Sequence, residues 1–455
     1  MKIDTDREVA YKALLAIERE GSYSNLELSK LLNGDEILNK GFIREIVYGV
    51  IENKIYLDYI LDKFIKNGAR KTKLQALIIL RMGVYQILFM NSVPNYAAVN
   101  ESVALTRRFA KGMDGFINGV LRNFIRNMDS AKNVDVPGRL EYLSIRYSCR
   151  IELVEELVNM LGFEHTKLLL KHAGKRPTLS IRVNKAKISV EELAERLRAK
   201  GFDTQDSMLS DRVLIVKGGA LTETNEYKEG LFSIQSEESC AIADFADAKS
   251  AELVIDLCAA PGGKTAAMAE QMLKPGNMNE SGTVTESSTE SGKIIALEIY
   301  EHRSALIEAT SRRLGLDNIE VICHDATKQI DELVGKADLV LADVPCSGLG
   351  VIRRKPEIKY RDEFDFDQLV EIQKNILETG SSYVKYGGKL VYSTCTVNPI
   401  ENERIIENFL ARHDDFISEK EIKLSPFANG YDGFYMNKLK KVEGRVPNGC
   451  GVQDR

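Results

Sequence analysis

Apolar residues recur three and four positions apart through most of the first 130 residues, which is the spacing of one buried helix face. The pattern is plain in the runs Val9–Ile17, Phe42–Leu61, Leu74–Met90 and Gly115–Met128. Short polar breaks beginning at Asn33, Asn67 and Asn91 separate them, and Pro94 before a small-residue run is a helix start signal. Residues 1–130 are therefore predicted to form an all-helical domain. Residues 131–175 read as a helical connector, with short helices around Ile151–Leu161 and Thr166–Ala173. After Pro177 the period changes. Thr178–Asn184 alternates like a strand, Ile188–Phe202 has one helical apolar face, and Arg212–Gly219 alternates again, so residues 176–229 are predicted to be a small α+β unit.

From residue 230 to 441 short apolar runs alternate with helical ones. Strands are expected from Glu252, Lys293, Ile319, Ala337 and Gly388, and helices at Thr265–Leu273, Arg303–Leu314 and Asp367–Val384. That alternation predicts an α/β domain with a mostly parallel, doubly wound, Rossmann-like sheet. Residues 274–292 break the rhythm with Ser, Thr, Gly and Glu and read as a surface insertion, and 442–455 as a tail.

With 455 residues the chain is too long for one core. Its 44% hydrophobic and 28% charged content is that of a soluble globular protein. The longest apolar runs, such as Leu77–Leu80, fall far short of a membrane span, and the N-terminal MKIDTDREVA has no apolar signal core. A cytoplasmic monomer with no membrane partner is expected. Seven scattered cysteines without CxxC pairs and five dispersed histidines predict reduced thiols and no metal. The net charge is −5, yet residues 1–130 hold 19 basic and 15 acidic side chains, and 41–130 hold 13 and 7. A basic helical module on an acidic protein is compatible with nucleic acid binding and equally with solvated helix faces.

In doubly wound sheets, function collects at the carboxyl ends of the strands. Those ends carry Asp256, Glu298, Asp325, Asp343, Cys346 and Cys395. The first is followed by the turn Cys258-Ala259-Ala260-Pro261-Gly262-Gly263-Lys264-Thr265. It lacks the first glycine of a P-loop, because position 258 is cysteine, and it lacks the dinucleotide-binding glycine pattern. Its glycines allow close approach to the backbone and it has few cations, which suits a nucleoside cofactor without a phosphate chain. Glu298 lies about 23 residues after Asp256 once the insertion is discounted, near the ~20-residue spacing of a ribose-binding acid. Asp325 ends the third strand, where an adenine amino group is expected. Strand-end acids also cap helices; three in register after a glycine-rich turn favour the ligand reading.

At DLCAAPGGKT, the strand-end acids, DVPCSG and STC, in that order, the chain resembles the RsmB/NOP family of S-adenosylmethionine-dependent RNA cytosine-5 methyltransferases. Further similarity at SIRVN, LFSIQSEES, VIRRKPEIKY and GFYMNKLKK extends it over nearly the whole chain, closest in pattern to the bacterial RsmB (Sun/Fmu) type acting on 16S ribosomal RNA. The resemblance implies a NusB-like helical N-terminal domain, S-adenosyl-L-methionine as cofactor and a cytosine of 16S ribosomal RNA as substrate. It implies Cys395 as the thiolate that adds to C6 of the base, Asp343 on its N3/N4 edge, and Cys346 in release of the product, with Lys264 supporting the thiolate or orienting Asp343. Residues 258–264, Glu298, Asp325 and Asp343 are implied to hold the cofactor. Glu298, Thr396 and Val344 stand where the family commonly has Asp, Ser and Ala, and none of these removes a reacting atom.

Arg353, Arg354 and Lys355 follow the Cys346 turn and are candidates for RNA phosphates, against a reading as a solvated basic loop. Cys149, Cys240 and Cys323 are expected to be small buried hydrophobes, and Cys258 an unreactive part of the cofactor turn. Three other readings stay open: transfer RNA as substrate, a P-loop-like NTPase built on Gly263-Lys264-Thr265 with Asp343, and a non-catalytic RNA-binding antitermination factor.

Overall fold

The period of the first residues becomes a set of helices packed around one core. The computed structural model describes residues 4–20, 31, 39–273, 292–361 and 364–443. The break at Asn33, most of the 274–292 insertion and most of the tail lie outside them. The chain divides into two units: Met1–Arg176 with Ile352–Glu363, and Pro177–Val351 with Phe364–Arg455.

In the first unit the main helices among the described residues are α1 (Thr5–Glu20), α2 (Lys40–Glu52), α3 (Lys54–Asp62), α4 (Leu74–Phe89), α5 (Asn95–Phe109), α6 (Asp114–Arg126), α7 (Arg139–Tyr147), α8 (Ile151–Leu161) and α9 (Phe163–Ala173), with a single helical turn at Met128–Ala131. Helix α4 is buried on all sides from Ala76 to Gln86 and forms the axis of the core. The single helix expected over 42–61 is two. Asn53 ends α2 by turning its side-chain amide and its backbone N–H onto the Gly49 carbonyl, at 2.9 and 3.2 Å. A short amide side chain that competes for backbone groups is suited to that position. Helix α7 adds a third helix to a connector in which two were expected.

A stretch from the other half of the sequence completes this unit. Residues Pro356–Tyr360 form a 3₁₀ turn whose side chains enter among α2, α3 and α7. Lys359, 2% exposed, donates from Nζ to the carbonyls of Glu52 (2.6 Å) and Tyr147 (3.0 Å). Tyr360 donates to the Ile51 carbonyl at 2.6 Å and meets Ser148 Oγ at 2.9 Å. Helix ends leave carbonyls without intrahelical partners, and Lys359 supplies two such ends with donors.

The second unit begins with β1 (Ser180–Val183), α10 (Val190–Ala199), β2 (Asp203–Asp206), β3 (Val213–Lys217) and β4 (Phe232–Ile234). The strands form an antiparallel sheet in the order β2-β3-β1-β4, with Ile181 opposite Leu214 and Ile234. Helix α11 (Glu237–Ala246) leads into β5 (Leu253–Asp256), α12 (Gly263–Met272), β6 (Lys293–Glu298), α13 (Glu301–Leu314), β7 (Ile319–Cys323) and β8 (Ala337–Asp343). Then come α14 (Phe366–Tyr383), β9 (Val384–Thr394), α15 (Glu403–Leu410), β10 (Phe416–Leu424) and β11 (Phe434–Lys441). The seven-stranded sheet runs β10-β11-β9-β8-β5-β6-β7. Its five central and outer strands from β9 to β7 are parallel, and β10 and β11 form an antiparallel hairpin on one edge.

Successive strand residues face opposite cores, which is why these strands read as continuous apolar runs. Ile255, Leu297 and Val340 pack with Ile376 of α14 and Phe409 of α15. Val254, Ile294 and Leu341 pack on the other face with Ile242 of α11 and Met268 of α12. Cys149 and Cys240 are buried as expected, but Cys323 is exposed, because β7 is an edge strand with one uncovered side. Among the described residues no helix is long and apolar enough to cross a membrane.

Lys359→Met leaves the Glu52 and Tyr147 carbonyls without their donor inside the first unit. Chemical denaturation is expected to show a loss of about 1–3 kcal/mol, the cost of buried acceptors left unpaired; unchanged stability would contradict this anchoring role.

Candidate active site

Strand order reverses between β5 and β8: the chain moves outward from β5 to β6 and β7 on one side, and from β8 to β9 on the other. A crevice opens at the carboxyl ends of two strands that part in this way. Here it is a cleft of about 270 Å³ lined by Asp256, Cys258, Ala259, Ala260, Pro261, Gly263, Lys264 and Asp343, with Ile234, Gln235, Ser236 and Ser239 opposite.

The turn after β5 is held from both neighbours. Leu257 N–H donates to the Leu341 carbonyl and Ala259 N–H to the Leu297 carbonyl, both at 2.9 Å. Gly262 caps α12 with φ of +98°, a conformation that glycine adopts without strain. Asp256 is 1% exposed. Its Oδ2 accepts Thr265 Oγ1 at 2.7 Å, and its Oδ1 is buried without a hydrogen-bond partner in the structure. Burial raises this carboxyl to about 6, partly offset by the Thr265 hydrogen bond. A buried acceptor pointing into a small polar cleft fits the hydroxyl or amino groups of a nucleoside.

Glu298 and Asp325 sit at the ends of the adjacent strands β6 and β7. Glu298 is 3% exposed and accepts Tyr300 N–H and Arg303 Nη1, each at 3.2 Å. Arg303 also donates to the Ala260 carbonyl at 3.2 Å, so this acid braces the turn after β5. Asp325 accepts Thr327 N–H (3.0 Å) and Oγ1 (2.7 Å) and faces Lys328 at 3.3 Å. The hydrogen bonds from Thr327 lead the causes that hold it below the usual range of an aspartate. Neither acid, nor Gly262, lines the cleft described above.

The reacting candidates meet at the ends of β8 and β9. Lys264 Nζ lies 2.6 Å from Asp343 Oδ2, and Asp343 Oδ1 accepts Ser393 Oγ at 2.8 Å. Burial works against the Lys264 ammonium, but Asp343, with Cys395 and Asp256 adding, raises it above an ordinary lysine. An ammonium held in this way is committed to a carboxylate, not left free for a polyphosphate. Cys346 Sγ and Cys395 Sγ are 3.3 Å apart. The hydrogen bond to Cys395 and then burial push the Cys346 thiol well above its usual value. Burial likewise raises Cys258, whose thiol is surrounded by Asp256, Asp343 and Glu298. Backbone bonds fix the two turns, from Val344 N–H to the Ser393 carbonyl and from Gly350 N–H to the Cys395 carbonyl, both at 3.1 Å. Gly350 and Gly433 lie so close that a Cβ on either would overlap the other's backbone.

Arg353, Arg354 and Lys355 belong to the other unit and do not line the cleft; Lys355 is exposed and the two arginines are half-buried. Several site residues carried no role in the sequence reading. Gln235, Ser236 and Ser239 come from the LFSIQSEES stretch. Arg182 of β1 is fully buried, pairs with Glu270 of α12 at 2.7 Å and donates to the Gly263 carbonyl. Gln373, Asn398 and Glu401 surround the Cys346 turn. A polar NPIEN run directly after Cys395 was the available signal for the last two. Among the described residues no cluster of three or more His, Cys, Asp or Glu is arranged to hold a metal.

Three stretches match known families: residues 4–126 the NusB family, 153–221 the ferredoxin-like domain of RsmF/B-like methyltransferases, and 244–440 the 16S rRNA methyltransferase RsmB/F. The chain is 34% identical to the probable ribosomal RNA small subunit methyltransferase B of Bacillus subtilis, over 97% of this chain and 100% of that one. It is 30% identical to the corresponding probable enzyme of Synechocystis sp., over 96% and 99%. The solved structure of PH0851 superposes with a TM-score of 0.75 at 24% identity, covering 97% of this chain and 100% of that one, and shares its fold.

The buried Asp256 gives a pH test. Its carboxyl is raised from 3.8 to about 6 on folding, so its contribution to stability is full below the lower value and is lost as pH rises through the upper one. In the absence of cofactor, Asp256→Asn, which mimics the protonated form, should gain on the wild type across that window, by on the order of 1–3 kcal/mol. Denaturation curves at acid and neutral pH measure it; a pH-independent difference would contradict the assignment.

Proposed function

The chain belongs to the RsmB/F family of 16S rRNA methyltransferases, and on that premise we propose that it methylates C5 of a cytosine in small-subunit ribosomal RNA, using S-adenosyl-L-methionine and a covalent Cys395–C6 adduct. The observation that carries the mechanism is the 3.3 Å pairing of Cys346 and Cys395 in one cluster with the 2.6 Å Lys264–Asp343 pair.

Bound S-adenosyl-L-methionine supplies an electrophilic methyl group. Asp256, the backbone of 258–263 and the strand-end acids Glu298 and Asp325 are the residues that would hold it. Cytosine C5 is a weak nucleophile, and addition of a thiolate at C6 gives it enamine character, dividing one difficult step into easier ones. Cys395 is assigned that addition. Asp343 takes the N4–H edge of the base, and the Lys264 ammonium beside it offsets negative charge developing at N3. Release needs the C5 proton removed and the C6–S bond broken, and Cys346, next to the departing sulfur, is assigned a part in it.

A base inside a helix cannot reach a sulfur at a strand end, so the target cytosine is flipped or single-stranded when it reacts. The NusB-like residues 1–130, with 13 basic against 7 acidic side chains in 41–130, and Arg353, Arg354 and Lys355 are assigned to phosphate contacts. The enzyme then works as a monomer in the cytoplasm, where ribosomal RNA is found.

Bisulfite sequencing of small-subunit ribosomal RNA incubated with purified protein and S-adenosyl-L-methionine tests the reading; protection of one cytosine is expected. Cys395→Ala should lower the rate by more than about 10³-fold, and Cys346→Ala should accumulate an RNA–protein adduct on denaturing gels. Retained methyl transfer by Cys395→Ala would overturn the covalent mechanism.

A further inference from the structure

Behind the two thiols lies a carboxylate that the mechanism above leaves unused. Glu401 is completely buried, at 0% exposure. Its Oε2 accepts Ser347 N–H at 2.8 Å and Gln373 Nε2 at 2.9 Å. Its Oε1 accepts Ser347 Oγ at 2.6 Å and Asn398 Nδ2 at 3.0 Å. Ser347 Oγ also meets Thr396 Oγ1 at 2.8 Å, and Thr396 Oγ1 accepts Asn398 N–H at 3.2 Å. Ser347 Oγ donates to Glu401, which leaves the Thr396 hydroxyl as the donor that completes the Ser347–Thr396 contact when Glu401 is ionised. Three N–H groups and one hydroxyl thus surround the carboxyl oxygens, an arrangement that suits a carboxylate as acceptor. Among the described residues no Lys, Arg or His is ion-paired with it. A buried anion is costly unless hydrogen bonds hold it, and here neutral donors do so.

Ser347 and Thr396 are the residues that follow Cys346 and Cys395, so one carboxylate ties the two cysteine turns together. Asn402 closes the second turn, accepting Thr394 Oγ1 at 2.6 Å and donating to the Thr396 carbonyl at 3.0 Å.

The same arrangement places charge unevenly around the thiols. Cys346 has Cys395, Glu401 and Tyr392 around it; the hydrogen bond to Cys395, burial and the charges of Cys395 and Glu401 all favour its protonated form. The Cys395 N–H, directed at Cys346 Sγ at 3.3 Å, is the one contact that works the other way. Cys395 is the thiol that interacts with the Lys264 ammonium, which is itself bound to Asp343.

We propose that Glu401 is a positioning residue that assigns the two thiols their roles: its buried charge keeps the proton on Cys346 and leaves the negative charge of the pair on Cys395. The proposal rests on the reading of Cys395 as the attacking thiolate. In the addition, a lone pair of the Cys395 sulfur forms the S–C6 bond, and the C5=C6 pair shifts into the ring toward C4 and N3. No proton leaves Cys346 in that step, so Cys346 does not compete for C6.

The test is alkylation by limiting iodoacetamide over a range of pH, with carbamidomethyl groups on Cys346 and Cys395 counted by peptide mass spectrometry. In the wild type Cys395 should take nearly all the label near neutral pH. In Glu401→Gln the Cys346 share should rise, about tenfold for each unit by which its titration moves down, and Glu401→Asp should restore the wild-type partition in part. A partition unchanged in a Glu401→Gln protein that binds S-adenosyl-L-methionine normally would overturn the proposal, leaving Glu401 a structural role. If that variant does not fold, the wild type alone decides: a Cys346 that is labelled ahead of Cys395 at neutral pH contradicts the proposal, and the reverse order supports it. Failure of the underlying reading looks different, because Cys395→Ala would then retain methyl transfer.

Discussion

Two sulfur atoms 3.3 Å apart cannot both carry a charge at low cost. At an effective dielectric constant of about 20 the repulsion of two thiolates at that separation is about 5 kcal/mol. The pair therefore carries at most one negative charge, and its surroundings determine which sulfur can hold it. Lys264 and Asp343 stand on the side of Cys395, and Glu401 with its four donors on the side of Cys346. A nucleophile must be ionised to attack, and the group beside it must not be. In the proposed mechanism the two environments serve these two needs.

The sheet makes this proximity possible. β8 delivers Asp343 to the cleft and Cys346 to the turn beyond it, while its parallel neighbour β9 delivers Cys395, with Asp343 and Ser393 in register. Because strand order reverses between β5 and β8, the cleft opens beside β8, which leads to Cys346 and pairs with β9, which leads to Cys395. The cleft and both thiols are thereby brought to one end of the sheet by topology, and local hydrogen bonds need only set the final positions.

The parts of this design that depend on apolar runs and strand ends were legible in the residue pattern. Val254–Asp256, Ala337–Asp343 and Gly388–Thr394 read as strands because both of their faces are buried, and the reacting groups follow directly from their ends. The β10 strand was not legible, since Phe416–Leu424 is exposed at six of its nine positions and carries alternating charges at the sheet edge. Nor was the break at Asn53, where the apolar period continues across two helices and only a side-chain bond to Gly49 interrupts it. Of the partners of Glu401, Asn398 lies in the same polar run, but Ser347 and Gln373 are 54 and 28 residues away, so no local spacing announces them. Pro356–Tyr360 shows no anchoring role in the residue pattern, because that role depends on carbonyls of Ile51, Glu52 and Tyr147 far away in the sequence.

The account is tested most directly by mapping the covalent intermediate. Small-subunit ribosomal RNA containing 5-fluorocytosine cannot lose a proton from C5 after methyl transfer, so the adduct should persist on the protein. Peptide mass spectrometry of that adduct is expected to place the nucleotide on Cys395. A nucleotide on Cys346, or methyl transfer with no adduct at either cysteine, would contradict the account.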